Sequence, residues 1–291
     1  MLLWALAGCE LVTIKPMDPC LDPRGSPLVR LDVGARHACG ATDAGAVTCW
    51  GDDGAGQVSG LPDDLVGFDV ALGGDVSCSG GTDALVTCWG SDAFGQVSGL
   101  PDDRPWHQVD VGAEHGCAVD EGRAETLCFG DNADGRLDVV LSGGPYLKVA
   151  VGERFSCGMD LLGRIECWGS DDDQVITDAP DGTVTDLAAG DRHACILDQN
   201  QEPFCWGAND EGQLDVVDGP YGAIHAGLAV SCGQAVDGTL TCWGGSDAQD
   251  PPDEPLGIVG LSGESRNACA VGPESSLLCW GDDSAIIEGP P

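Results

Sequence analysis

Basic side chains are scarce in this sequence: 12 Lys and Arg face 49 Asp and Glu, leaving a formal net charge of −37. A field of that sign repels nucleic acid phosphates and anionic lipid surfaces, so DNA binding is not expected and cationic partners or divalent ions are favoured. Aromatic residues make up only 5% of the chain. No run of 18 apolar residues offers a membrane-spanning helix. No long stretch repeats apolar residues at three- and four-residue spacing, which argues against a helical fold. Recognisable catalytic signatures are missing too: there is no Gly-x-Ser-x-Gly elbow, no phosphate-binding glycine loop followed by Lys, and no His-Glu-x-x-His. What the chain has in plenty is turn formers. Gly 45 and Pro 17 exceed a fifth of its 291 residues, and 42% apolar residues suffice for a core. The fold class read from this is all-β, with many short strands and frequent turns.

Sixteen cysteines at regular spacing point to an oxidising compartment, because cytosolic thiols are kept reduced. Export is therefore expected. Near the start, Leu2 to Ala7 is apolar and Leu6-Ala7-Gly8-Cys9 resembles a bacterial lipobox, with cleavage before Cys9 and lipid attached to its sulfur. The segment is short and has no preceding Lys or Arg, which leaves an upstream start or an accidental match as alternatives. On this reading residues 1–8 are a signal segment, 9–27 a tether, and 28–291 the folded unit. Cys20 then bridges Cys9 in an unlipidated protein, or stays a free thiol or an intermolecular link.

The other cysteines form seven consecutive pairs: Cys39 with Cys49, Cys78 with Cys88, Cys117 with Cys128, Cys157 with Cys167, Cys195 with Cys205, Cys232 with Cys242, and Cys269 with Cys279. The first cysteines recur every 37 to 40 residues, a period that signals propellers or solenoids. Trp follows the second cysteine in six units, with Phe129 in the third, and a glycine precedes the first cysteine by five residues in all but the last, where Glu264 stands. Upstream, alternating residues such as Leu31 and Val33, or Val149 and Val151, read as short strands with one buried face. Each unit thus runs strand, turn, strand, hairpin, strand, loop.

Two residues ten apart face each other in an antiparallel hairpin when the turn is centred between them. In the first unit this gives the three-residue loop Asp43-Ala44-Gly45, whose last position suits a left-handed glycine; Gly163 and Gly238 hold the same place later. The third unit, one residue longer, takes a four-residue loop from Glu121 to Ala124. Facing strand positions lie within disulfide reach, and each bridge is worth about 2 to 3 kcal/mol by the chain-entropy model. The Trp beside each second cysteine points to the other strand face, where it fills the gap to the neighbouring unit.

His37-Ala38-Cys39, Cys49-Trp50-Gly51 and Gly56-Gln57-Val58, with the same pattern at His193-Ala194-Cys195, Cys205-Trp206-Gly207 and Gly212-Gln213-Leu214, resemble the regulator of chromosome condensation repeat family. The resemblance spans about residues 28 to 283. It implies a seven-bladed β-propeller of four-stranded sheets, usually closed by pairing between the chain ends. It implies no single activity: the founder is a nucleotide exchange factor for a nuclear GTPase, and a secreted bacterial relative inhibits β-lactamases. Exchange activity does not carry over to an acidic, disulfide-bearing chain.

Two constellations remain. His37, His115 and His193 share a strand face with the first cysteines, yet Val76, Phe155, Val230 and Asn267 fill that place elsewhere, so a zinc set is not expected. Asp131-Asn132-Ala133-Asp134-Gly135, with Asp138 and Asp171-Asp172-Asp173, lacks the spacing of a calcium loop and reads as turn chemistry. No catalytic residue, metal site or cofactor is assigned. The expectation is a monomeric, non-enzymatic, envelope-anchored or secreted binding module whose loops on one face engage a protein partner. A carbohydrate-binding role would need exposed aromatics, for which Trp106 and Tyr221 are the candidates. A lyase or hydrolase would need His and carboxylates clustered in the central funnel.

Overall fold

The computed structural model describes residues 28–81, 85–101, 105–106, 108–120, 125–140, 145–245, 251–263 and 265–281. Cys9, Cys20, the segments 1–8 and 9–27, and the loop from Glu121 to Ala124 lie outside them. In the first blade β1 (Leu28–Val33), β2 (His37–Thr42) and β3 (Val47–Gly51) pair antiparallel in that order, and six further three-stranded sheets repeat the arrangement. The hairpin register puts Cys39 opposite Cys49, and a disulfide joins them at a Cα–Cα distance of 4.1 Å. The same bond joins Cys78 to Cys88, Cys157 to Cys167, Cys195 to Cys205, Cys232 to Cys242 and Cys269 to Cys279, each within its own blade. In the third blade Cys117 bonds Cys128 across the longer separation of 11 residues, and the two still face each other in the ladder. The first cysteine of every bridge stands on the middle strand and is fully buried, whereas Cys88 and Cys242 on third strands are half-buried. Gly45, Gly163 and Gly238 close their hairpins at φ of 81°, 76° and 89°.

The blades have three strands among the described residues where the family resemblance implied four. In blades one, two and four the reason lies in the segment after Trp-Gly. Asp53 Oδ1 accepts the amides of both Val58 and Ser59, and Asp92 and Asp171 bind the corresponding amides of their units. Amides folded onto a side-chain oxygen cannot donate to a fourth ladder, so the chain runs in successive turns. Its apolar residues Val58, Leu61 and Leu65 still pack against the cluster formed by Trp89 and the Cys39–Cys49 bridge.

The core is a set of seven clusters between blades, each holding the aromatic ring that follows the second cysteine of one blade. Trp89, Trp168, Trp206 and Trp243 pack onto residues of the preceding blade, including its disulfide cysteines or their neighbours. Their Nε1 groups donate to the carbonyls of Gln57, Arg136, Val175 and Gln213, the same turn position of that preceding blade, at 2.7 to 3.0 Å. An indole buries its large apolar surface only where its one donor finds an acceptor, and the turn supplies it. The glycine after the ring is required: Gly51 has φ 108°, and a Cβ there would stand 2.6 Å from the Arg36 carbonyl oxygen. Blade seven meets blade one through Trp50, Leu31 and Val33 against Cys269, Val271, Leu277 and Cys279, and Asn267 Nδ2 donates to Ala35 O. Among the described residues the ring is closed by this side-chain packing.

Candidate functional site

The topology gives the ring two unlike ends. Leu28 pairs with Thr42, next to the hairpin at 43–45, so the chain enters the propeller at its hairpin end. The loops before the second strands and the turns after Trp-Gly lie together at the opposite end: the amides of Asp52, Ser91, Asp131 and Ser170 bond the carbonyls of Arg36, Asp75, Glu114 and Arg154. The hairpin end exposes apolar side chains, with Leu161 and Leu162 each 66% exposed and Val236 86% exposed.

The turn end is an acidic array whose members divide by role. Asp53, Asp92 and Asp171, with Asn132 and Asn209 in the same place, hold the turn backbone through their Oδ1 atoms. Backbone amides stabilise the ionised form and hold the Asp53, Asp92 and Asp171 carboxyls below the ordinary range, with the Thr177 hydroxyl the first cause at Asp171. The Asp131 to Gly135 segment is turn chemistry of this kind, and Asn132 Nδ2 also donates to Asp138 Oδ1. Between turns stand arginines: Arg154 pairs with Asp134 and Asp172, and Arg192 with Asp173 and Asp210. Arg136, only 3% exposed, takes the place of the turn glutamines and reaches Glu114 and Asp131. Asp191 sits deeper, where burial and then the nearby Glu153 raise its carboxyl to about 7.

The first strand of each blade lines a central channel of about 340 Å³. An inner strand has an unpaired edge, and its amides need acceptors. Asp32 Oδ2 accepts from Leu72 N at 2.7 Å, Asp110 Oδ2 from Val151 N at 2.8 Å, and Asp186 Oδ2 from Ile224 N at 3.1 Å, each in the next blade. Lys148 pairs with Asp186 at 2.6 Å. Burial raises Asp32 well above the carboxylate range and Asp110 to about 6, and it lowers the neighbouring His225. The funnel does hold carboxylates and an imidazole, but these carboxylates are bound to main-chain amides of the next blade and act as struts.

His37, His115 and His193 are fully buried, and each Nε2 lies 2.8 to 2.9 Å from a serine hydroxyl of the next blade: Ser77, Ser156 and Ser231. Ser77 and Ser231 donate their single proton to the carbonyls of Gln57 and Gln213, so His37 and His193 carry theirs on Nε2. Burial lowers the three imidazoles to about 4, 3 and 4. They are interface struts. Sequence reasoning missed their partners, although the signal was present: the residue before the first cysteine is Ser in blades two, four and six, which follow His blades, and Gly116, Ala194 or Ala268 after Val76, Phe155 or Val230.

Trp106 and Tyr221, the expected exposed aromatics, are both buried. Trp106 Nε1 donates to Pro101 O within a core cluster, and Tyr221 packs against Trp243 with ring centroids 6.2 Å apart. A stacking platform for sugars from these rings is thereby overturned.

Comparison with known proteins agrees with this architecture. A family model described as "Regulator of chromosome condensation (RCC1) repeat" matches residues 29–57 and 184–213. A search of curated proteins by sequence found no match. Among solved structures, the ectodomain of the Physcomitrella patens receptor kinase CR4 superposes with a TM-score of 0.74 at 25% identity, covering 87% of this chain and 73% of that one. The CRINKLY WD40 ectodomain of the Arabidopsis thaliana receptor kinase ACR4 gives 0.73 at 21% identity, covering 87% and 97%. Prp20p from Saccharomyces cerevisiae, whose binding to Gsp1p and histones has been characterised, gives 0.68 at 15% identity over 90% and 84%. Seven three-stranded blades make this chain a seven-bladed β-propeller, two of whose repeats match the regulator of chromosome condensation repeat.

Proposed function

We propose that this propeller is a non-enzymatic protein-binding module of an extracytoplasmic surface, anchored through lipid on Cys9 or secreted, which presents its turn end to the partner. The observation that carries the reading is the polarity of the ring. The chain enters at the hairpin end, so an anchored protein turns its acidic, Arg-laced turn end outward. Fourteen cysteines committed to seven intrablade bridges support the oxidising compartment. The similarity to receptor ectodomains, and to a propeller that binds Gsp1p and histones, supports protein binding by the fold. The channel supports a non-enzymatic reading, since Asp32, Asp110 and Asp186 are engaged by backbone amides.

The test is affinity capture from the envelope of the producing organism, using three disulfide-intact baits. The first is the native protein. The second carries Asp52→Asn, Asp172→Asn and Asp210→Asn at the turn end, and the third Leu161→Ser, Leu162→Ser and Val236→Ser at the hairpin end. A protein retained by the first and third baits and lost from the second is the expected result. Retention that depends only on the hairpin substitutions, or recovery of glycans alone, refutes the reading.

A further inference from the structure

We propose that the partner of the turn end docks through a basic polypeptide segment, with one arginine side chain seated on the Phe94 ring beside Glu114, where blades two and three meet. The inference rests on the turn end being the binding surface and names the chemistry of what it binds.

The argument comes from equivalent positions in successive junctions. Where blade three meets blade four, Arg136 Nη1 donates to Glu153 O, and Asp134 of the same turn pairs at 2.9 Å with Arg154, the residue after Glu153. Where blade four meets blade five, Asp173 in the position of Asp134 pairs at 2.6 Å with Arg192. Each of these two junctions is a rung in which an acid from one turn meets a guanidinium from the next blade. The junction of blades two and three is held alike, because Gln96 Nε2 donates to Ala113 O at 3.0 Å. There, however, the acid is replaced by Phe94 and the arginine by Glu114. The rung has lost its cation and gained an aromatic ring.

That ring stands on a fixed backbone. Phe94 N donates to Oε1 of the buried Gln96 at 2.7 Å, while the residue remains 48% exposed. Glu114 meets Arg136 through Oε2 at 2.9 Å and its side chain is 42% exposed. Asp92 and Asp75 on the same side keep the local field negative. Phe94 holds the position of Asp134 and Glu114 that of Arg154; an aromatic face so placed among acids suits a flat, weakly hydrated guanidinium, which stacks on the ring and forks toward the acid. The acids that continue around the rim, from Asp52 to Asp131, suit a segment bearing several cations.

The test measures binding of a fluorescein-labelled hexa-arginine peptide by anisotropy at about 150 mM salt, where diffuse attraction is screened. Phe94→Ala is expected to weaken binding about two- to fivefold. Phe94→Asp with Glu114→Arg, which writes the blade three to four rung into this junction, is expected to weaken it further. Phe204→Ala, an equally exposed ring on an outer strand, leaves it unchanged. With Phe94→4-benzoylphenylalanine, irradiation should attach the peptide more efficiently than with the same replacement of Phe204. Equal binding by Phe94→Ala and the native protein, or equal cross-linking at the two positions, overturns the proposal. If the captured partner is lost with the Asp52, Asp172 and Asp210 substitutions but kept by Phe94→Ala, this site fails and the turn-end reading stands. A partner kept by both fails the turn-end reading itself.

Discussion

Acid should loosen the joints between alternate blades, and the loss can be worked from one histidine. His193 is fully buried, its Nε2 bonds Ser231, and burial lowers its pKa to about 4. An unfolded histidine titrates near 6.5, so the folded value lies below the unfolded one. The stability gained from a neutral imidazole is therefore complete above pH 6.5 and is lost as pH falls toward 4. Between pH 7.5 and 5 the loss comes to about 2 kcal/mol for this residue. Asp32 and Asp110 act in the opposite direction, because burial raises them and their protonation favours the folded chain as pH drops. The pH profile of the native protein is thus a difference, and a paired comparison isolates the histidine. His193→Phe with Ser231→Ala rebuilds this interface with the residues of the blade four to five interface, Phe155 and Ala194. In urea unfolding with disulfides intact, the double variant should gain about 2 kcal/mol on the native protein between pH 7.5 and 5. An independent check is the His193 Cε1 proton resonance, which should hold its neutral position down to pH 5. Parallel unfolding free energies at the two pH values, or a resonance that titrates near pH 6.5, would refute the reasoning.

Three further outcomes concern stability. Trp206→Phe keeps most of the ring but forfeits the 2.7 Å bond to Val175 O, and should cost about 1 to 2 kcal/mol in denaturant unfolding, whereas Trp206→Ala should cost about 3 to 5. Gly51→Ala forces a Cβ to 2.6 Å from the Arg36 carbonyl at a left-handed φ, so thermal melting should show a loss of about 1 to 3 kcal/mol, while Gly54→Ala, with only the Asp52 carboxylate oxygens within 4 Å, should show much less. Removing one bridge by Cys195→Ser with Cys205→Ser should lower stability by about 2 to 3 kcal/mol, with mass spectrometry of a digest showing the other six pairs intact.

The sequence by itself determined the blade. A pair of cysteines ten residues apart, a centred glycine and a following Trp-Gly are local instructions, and the antiparallel ladder that obeys them joins residues within one unit of the chain. Cys39 therefore meets Cys49, and Gly45 closes the loop, as the spacing predicts. Even the irregular third unit keeps Cys117 opposite Cys128, with the ladder in register from His115 paired with Gly130 to Asp120 paired with Glu125. The number of blades followed from counting the repeats. What only the tertiary structure decided lies between blades, where partners in blades successive along the chain stand some 17 to 41 residues apart, those that close the ring 232, and no ladder fixes them. Asp32 to Leu72, His37 to Ser77, Gln96 to Ala113 and the rung from Asp134 to Arg154 are contacts of this kind. Among the described residues no fourth strand forms, and in blades one, two and four Asp53, Asp92 and Asp171 take up amides that such a strand would need. Trp106 and Tyr221 looked available only while the surfaces that bury them were unknown. Short-range hydrogen-bond geometry is written in residue spacing, whereas packing across an interface depends on how each blade's faces are set against the next, which becomes definite only when the ring closes.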